Sequence, residues 1–93
     1  MTENRKRDRL EIVYDFLSII RKYDNSIKPT PLLRLSNLSS QRFSEYLKEL
    51  EGKEFVKVLE NRRGRKTVTL TDKGFRFLEK YQVIRGFIDD FGL

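Results

Sequence analysis

Between two alternating segments, the stretch "NRRGRK" at 61–66 sets Arg62, Arg63, Arg65 and Lys66 around a single glycine. Cations packed this closely can grip phosphate oxygens or enter a groove of negative potential. Upstream, "SSQRFSEYLK" at 39–48 holds Ser39, Ser40, Gln41, Arg42, Ser44 and Lys48. Glutamine pairs in bidentate fashion with adenine and arginine with guanine. Serine hydroxyls and a lysine ammonium reach phosphates. A third basic run, "RKRDR", lies at 5–9. Each cluster also has a plainer reading: a solvated helix face, a charged tip that keeps a strand edge from pairing with other chains, and a solvated chain end that could equally be an arm laid along the partner. Lysine would guard an edge as well as arginine, so the arginines at 62, 63 and 65 favour an anionic partner.

The whole chain agrees. Its 93 residues carry a formal net charge of +6 and a pI near 9.8. Such a balance attracts nucleic acid first, and an acidic membrane surface or protein second. There is no cysteine and no histidine. That excludes thiolate chemistry and removes the usual general base and the commonest metal ligand. No Gly-rich phosphate loop is present, and Asp89 and Asp90 are adjacent near a chain end rather than convergent. We therefore expect no enzyme activity, no catalytic residues, no metal site, no cofactor, and no evident small-molecule effector. No apolar run approaches the roughly 18 residues of a membrane span, and "MTENRKRDRL" lacks the apolar core of a signal peptide. The expected location is cytoplasmic and nucleoid-associated, with no membrane partner. The length fits one domain, 1–93. A chain this small buries only about 60–65% of its unfolded surface, which leaves room for a partner subunit.

These clusters need elements to hold them. Residues 1–7 read as a flexible basic arm. From Asp8, Leu10, Val13, Leu17 and Ile20 recur at helical spacing to about residue 23, with Phe16 and Tyr23 widening the stripe. In "PTPLLRLSN", Thr30 is placed to cap a short helix with Pro31 at its first position, and Asn37 to end it in the left-handed conformation. Ser39 or Ser40 caps a third helix to about Gly52, with Phe43, Leu47 and Leu50 on one face and Tyr46 beside them. Phe55–Leu59 and Thr67–Thr71 alternate as strands, and Gly64 supplies a tight hairpin connection. Thr71 caps the last helix, and Asp72 suits the positive end of its dipole.

A short helix, a turn and a longer helix form a helix-turn-helix, whose second helix enters the major groove. The order is helix, helix, helix, strand, strand, helix. In the last helix, Phe77, Tyr81, Ile84, Ile88 and Phe91 step by four, three, four and three, a heptad seam with Phe87 and Leu78 adjacent. A small core cannot absorb them all, and so large an exposed stripe is unfavourable in a monomer. The expectation is a homodimer interface at Phe77, Tyr81, Ile84, Phe87, Ile88 and Phe91. Its competitor is a helix folded back across the chain's own core.

"TPLLRLSNLSSQRFSEYLKELEGKEFVK", 30–57, resembles the helix-turn-helix of archaeal winged-helix DNA-binding proteins. It is most similar to the small archaeal chromatin-protein family of about ten kilodaltons, whose members dimerise through a C-terminal helix. Thr30, "SNLS" at 36–39, "YL" at 46–47 and Leu50 carry the likeness, and "LTDKGFRFLEKY", 70–81, looks like that family's strand-to-helix junction. The "LT-K-G" pattern is shared by many winged-helix regulators. One departure is Glu54, where related sequences commonly have glycine before the first wing strand.

The resemblance implies an α+β winged helix-turn-helix over 8–71 with a C-terminal dimerisation helix over 72–91. It also implies Ser40, Gln41, Arg42 and Ser44 at base edges, Lys48 toward phosphate, and 61–66 as the wing on the adjacent backbone or minor groove. Gly74, which costs about 1 kcal/mol in a helix, would be offset by close packing against the wing strands. The expected function is double-stranded DNA binding, as a transcription regulator or chromatin-associated protein. The alternative is a winged-helix protein-interaction module without DNA binding; that reading needs an apolar patch on the third helix, where the sequence is polar. RNA binding ranks lower, because the hairpin has no exposed aromatic platform.

Overall fold

The computed structural model describes residues 7–93; the rest of the expected basic arm, 1–6, lies outside the described residues. The first helix, α1 (Arg9–Lys22), is set by Asp8. The Asp8 carboxylate accepts from the Glu11 amide at 2.8 Å, and the Glu11 carboxylate accepts from the Asp8 amide at 3.0 Å. This reciprocal cap satisfies two donors that a helix start leaves open. The helix buries Ile12, Val13, Phe16, Leu17 and Ile20. Leu10, expected in that stripe, is 57% exposed. At this first turn Arg9 is the residue that meets α3, through Glu49 and Tyr46, and Ile12 is the first apolar side chain of the helix to be buried. The exit is left-handed at Asp24 and Asn25, and the Asn25 amide returns to the Ile20 carbonyl at 3.0 Å.

The second helix, α2, runs Pro29–Ser36, with Lys28 as a cap that offers no side-chain bond. The expected cap at Thr30 is therefore corrected. Pro29, with φ fixed by its ring, already starts the helix, so Thr30 lies inside the first turn. Asn37 ends α2 at φ 59°, left-handed as its type favours. Ser39 caps α3 (Ser40–Gly52) by accepting from the Arg42 amide at 3.2 Å. α3 buries Phe43 and Leu50, and Phe43 stacks on Phe16 at 5.4 Å.

α3 ends in a Schellman turn. The Phe55 amide bonds the Leu50 carbonyl at 2.8 Å and the Glu54 amide bonds the Glu51 carbonyl at 3.0 Å. The turn requires a left-handed residue, usually glycine. Here Glu54 adopts it, at φ 66°.

Strands β1 (Val56–Glu60) and β2 (Lys66–Leu70) pair antiparallel, with Val58 opposite Val68. On the far side of β2, Ile27 forms a bridge with Val68 through bonds of 2.7 and 3.2 Å. The Asn25 side chain accepts from the Leu70 amide at 2.6 Å. The ribbon is thereby tied to the end of α1.

Thr71 caps α4 (Asp72–Asp90), accepting from the Gly74 amide at 3.1 Å. Its hydroxyl donates to the Glu54 carbonyl at 2.6 Å, and its amide to the Phe55 carbonyl at 3.1 Å. Gly74 is needed here, because a Cβ at this position would stand 2.4 Å from the Phe55 carbonyl oxygen. Phe16, Leu17, Ile20, Leu32, Val56, Val68 and Leu78 form the fully buried centre. Each such side chain contributes about 1.5–3 kcal/mol of burial. The first half of α4 packs on this core and the second half extends from it, which stretches the molecule to 50 Å by 29 Å by 21 Å.

Candidate nucleic-acid interface

The turn Asn37–Ser39 delivers α3 with its polar face outward. Ser39, Ser40, Gln41, Arg42, Ser44 and Lys48 are all exposed, because Phe43 and Leu50 take the inward positions. Two of these side chains are already held. Gln41 Nε2 donates to Glu45 Oε2 at 3.4 Å. The Arg42 guanidinium lies 5.8 Å from the centre of the Tyr46 ring. Arg9, from the start of α1, lies 5.9 Å from the same ring and pairs with Glu49 of α3. Lys53 adds a second cation to Glu49 at 3.0 Å.

At the tip of the ribbon the Asn61 side chain shapes the loop. Its oxygen accepts from the amides of Arg63 at 2.9 Å and Arg65 at 3.0 Å. The Gly64 amide returns to the Asn61 carbonyl at 3.0 Å, with Gly64 at φ 76°. This is a hairpin turn closed by a left-handed glycine. Arg62, Arg63, Arg65 and Lys66 are all exposed. Lys66 stands opposite Glu60 in the ladder. The tip and the α3 face share no hydrogen bond, ion pair or ring contact among the described residues. Each cluster is built separately.

The expected seam on α4 divides. Phe77 packs edge-on against Phe55 at 5.7 Å and stacks with Tyr81 at 5.8 Å, and Tyr81 stacks on Tyr14 of α1 at 4.5 Å. These two rings thus face their own chain. Ile84 and Phe87 are exposed, Ile88 is half-buried, and Phe91 is 67% exposed. Val83 joins them at 72% exposure, and Phe87 and Phe91 touch at 4.9 Å. At the α1–α4 junction, Gln82 bonds the Tyr14 hydroxyl at 3.4 Å. That bond holds the Tyr14 pKa below its ordinary value, against burial, which raises it. A hydrogen bond to Tyr81 pushes the Arg85 guanidinium above its usual range, with the Tyr81 charge, Asp89 and Glu11 assisting.

Glu45 falls on the polar face of α3 by sequence, and Arg9 in the basic run 5–9, but their pairings, and the part Tyr46 plays between Arg42 and Arg9, were not read from it. The spacing of four between Gln41 and Glu45, and between Arg42 and Tyr46, was a usable signal. Arg9 and Glu49 are forty residues apart in sequence and offered none.

A three-helix unit closed by a hairpin and a fourth helix defines a fold class, and the sequence agrees with it. The family described as "Winged helix-turn-helix" matches residues 6–88, and the chain belongs to it. Among solved structures it is similar to MepR, a transcription regulator of the Staphylococcus aureus multidrug efflux pump MepA, with a TM-score of 0.75 at 16% identity. That match covers 85% of this chain and 59% of MepR. It is also similar to F93 from STIV, a winged-helix DNA-binding protein, with a TM-score of 0.72 at 18% identity over 85% of this chain and 90% of the other. A third likeness is to Sso10a-2, a DNA-binding protein from Sulfolobus solfataricus: TM-score 0.69, 21% identity, 90% of this chain and 87% of the other. These likenesses concern the fold. No curated protein matches the sequence. Among the described residues no helix is long and apolar enough to cross a membrane.

Proposed function

We propose that this protein binds double-stranded DNA as a homodimeric transcription regulator or chromatin-associated protein. The observation that carries the reading is α3's fully exposed face of Gln41, Arg42, three serines and Lys48 behind a capped turn. It occurs in a winged helix-turn-helix chain whose hairpin tip carries four exposed cations, Arg62, Arg63, Arg65 and Lys66. α3 enters the major groove, and the 61–66 wing lies on the neighbouring backbone or minor groove. The likeness to F93 and Sso10a-2, both DNA-binding proteins, supports this.

The exposed half of α4 supplies the second subunit's contact. Lys80, Val83, Ile84, Phe87 and Phe91 share one side of the helix by its periodicity, turned from the side that buries Leu78. An antiparallel pairing sets Lys80 of one copy near Asp90 of the other, whereas a parallel pairing sets Lys80 beside Lys80. The charges therefore favour the antiparallel arrangement.

Salt titration of DNA binding tests the first part. If each subunit neutralises about five phosphates, log K falls against log salt with a slope near −4.5 per subunit. Arg63→Ala with Arg65→Ala is expected to weaken binding to every sequence and flatten the slope by about 2. Gln41→Ala and Arg42→Ala are expected to change sequence preference. An unchanged affinity for the wing double variant at moderate salt sinks the wing assignment. Sedimentation tests the second part: Phe87→Asp is expected to give monomers. A monomeric parent overturns the dimer and leaves the DNA surface standing.

A further inference from the structure

We infer that Glu45 and Tyr46 are positioning residues that preset Gln41 and Arg42, so that α3 selects a duplex by the order of its bases and not by its backbone alone. This rests on the DNA-binding reading above. Gln41 and Arg42 each meet the residue one helical turn further on. Gln41 Nε2 donates to Glu45 Oε2 at 3.4 Å, a long bond that turns the amide nitrogen toward the carboxylate. One N–H is engaged there. The second N–H and the carbonyl oxygen stay available, and these are the donor and acceptor that adenine N7 and N6 require. Arg42 lies over Tyr46 at 5.8 Å. A guanidinium resting on a ring face keeps its in-plane donors open for guanine O6 and N7.

Tyr46 is itself fixed. It packs against the core and carries Arg9 at 5.9 Å, a cation that Glu49 holds. The platform beneath Arg42 therefore belongs to the fold and is not a loose side chain.

Glu45 points to selection for a second reason. It is exposed on the polar face of α3, and a carboxylate there opposes a polyanion. A protein that only gripped phosphates would bind more tightly with any neutral or cationic residue in its place. In a groove that presents the matching bases, the same carboxylate orders Gln41 and penalises misplaced duplexes.

The test uses the full chain. Preferred duplexes are selected from a random-sequence pool at fixed salt. Affinities for the preferred duplex and a scrambled one are then measured by fluorescence anisotropy for the parent, Glu45→Ala, Tyr46→Phe and Tyr46→Leu. Thermal melts check that each variant is folded. Glu45→Ala is expected to bind the scrambled duplex more tightly and to lower the preferred-to-scrambled ratio by about fivefold or more, the range one bidentate base contact commands. Its loss of preference falls at the base read by Gln41. Tyr46→Leu loses preference at the neighbouring base, and Tyr46→Phe, which keeps the ring, retains it. A pool that yields no preferred sequence overturns the inference. So does a Glu45→Ala variant with the parent's motif and ratio. Both results leave DNA binding intact, whereas a parent that binds no duplex overturns the earlier reading instead.

Discussion

Replacing Gly74 by alanine tests the joint between wing and α4. In an open helix this change stabilises by about 1 kcal/mol. Here the added Cβ would stand 2.4 Å from the Phe55 carbonyl oxygen and 3.2 Å from Leu70 Cδ2. Carbon and carbonyl oxygen ordinarily meet at roughly 3.3 Å, so the contact must open by about 0.9 Å. The oxygen cannot simply retreat, because it accepts from the Thr71 amide at 3.1 Å. α4 has to lift instead, which strains the Thr71 cap and loosens Leu78. Overpacking of this kind costs about 1–3 kcal/mol and outweighs the helix gain at most positions in that range. At the middle of that range the net loss is about 1 kcal/mol, which lowers Tm by roughly 4–8 °C in a domain of this size. Gly86 is the internal control, because nothing lies within 4 Å of its added Cβ; Gly86→Ala is expected to raise Tm. Circular dichroism melts at matched concentration decide the matter. A Gly74→Ala protein as stable as the parent would refute the close-approach argument.

Glu54→Gly is expected to stabilise by about 1 kcal/mol, since a left-handed residue with a Cβ costs roughly 1–2 kcal/mol and glycine's freer unfolded chain returns part of it. Urea unfolding would show no gain if the position were unstrained. Gln82→Leu is expected to move the Tyr14 ionisation to higher pH, followed by tyrosinate absorbance. The sign follows from the lowered folded pKa: ionised Tyr14 favours the folded state above the ordinary phenol value of about 10, and that increment is lost as pH falls through the lowered value. At neutral pH the substitution therefore leaves this contribution unchanged.

Local chemistry made much of the architecture readable. Ser39 and Thr71 cap because their hydroxyls reach free amides one turn on. Asn37 turns left-handed because its type tolerates it, and Gly74 sits where a backbone approaches. The misreadings arise where two local signals compete or where a neighbour decides. At α2, two prolines two residues apart both offer a helix start, and the earlier one prevails. On α1, Leu10 keeps the apolar period but is exposed, while Arg9 beside it makes the contact with α3. On α4, periodicity marks Phe77 and Tyr81 as apolar without saying what they meet, and Tyr14 and Phe55 supply the answer from distant parts of the chain. The same holds for Asn25, whose bond to the Leu70 amide spans 45 residues. At the candidate interface, residue types were legible. The pairings that hold Gln41 and Arg42 in place needed coordinates.

The Schellman turn at Glu54 and Phe55 has a mechanical consequence. Through these two residues the exit of α3 is bonded directly to the cap of α4. α4 spans about 28 Å at 1.5 Å per residue. A load on the exposed end of α4 therefore meets the exit of α3 through these two Thr71 bonds, and meets α1 through the Tyr14–Tyr81 stack.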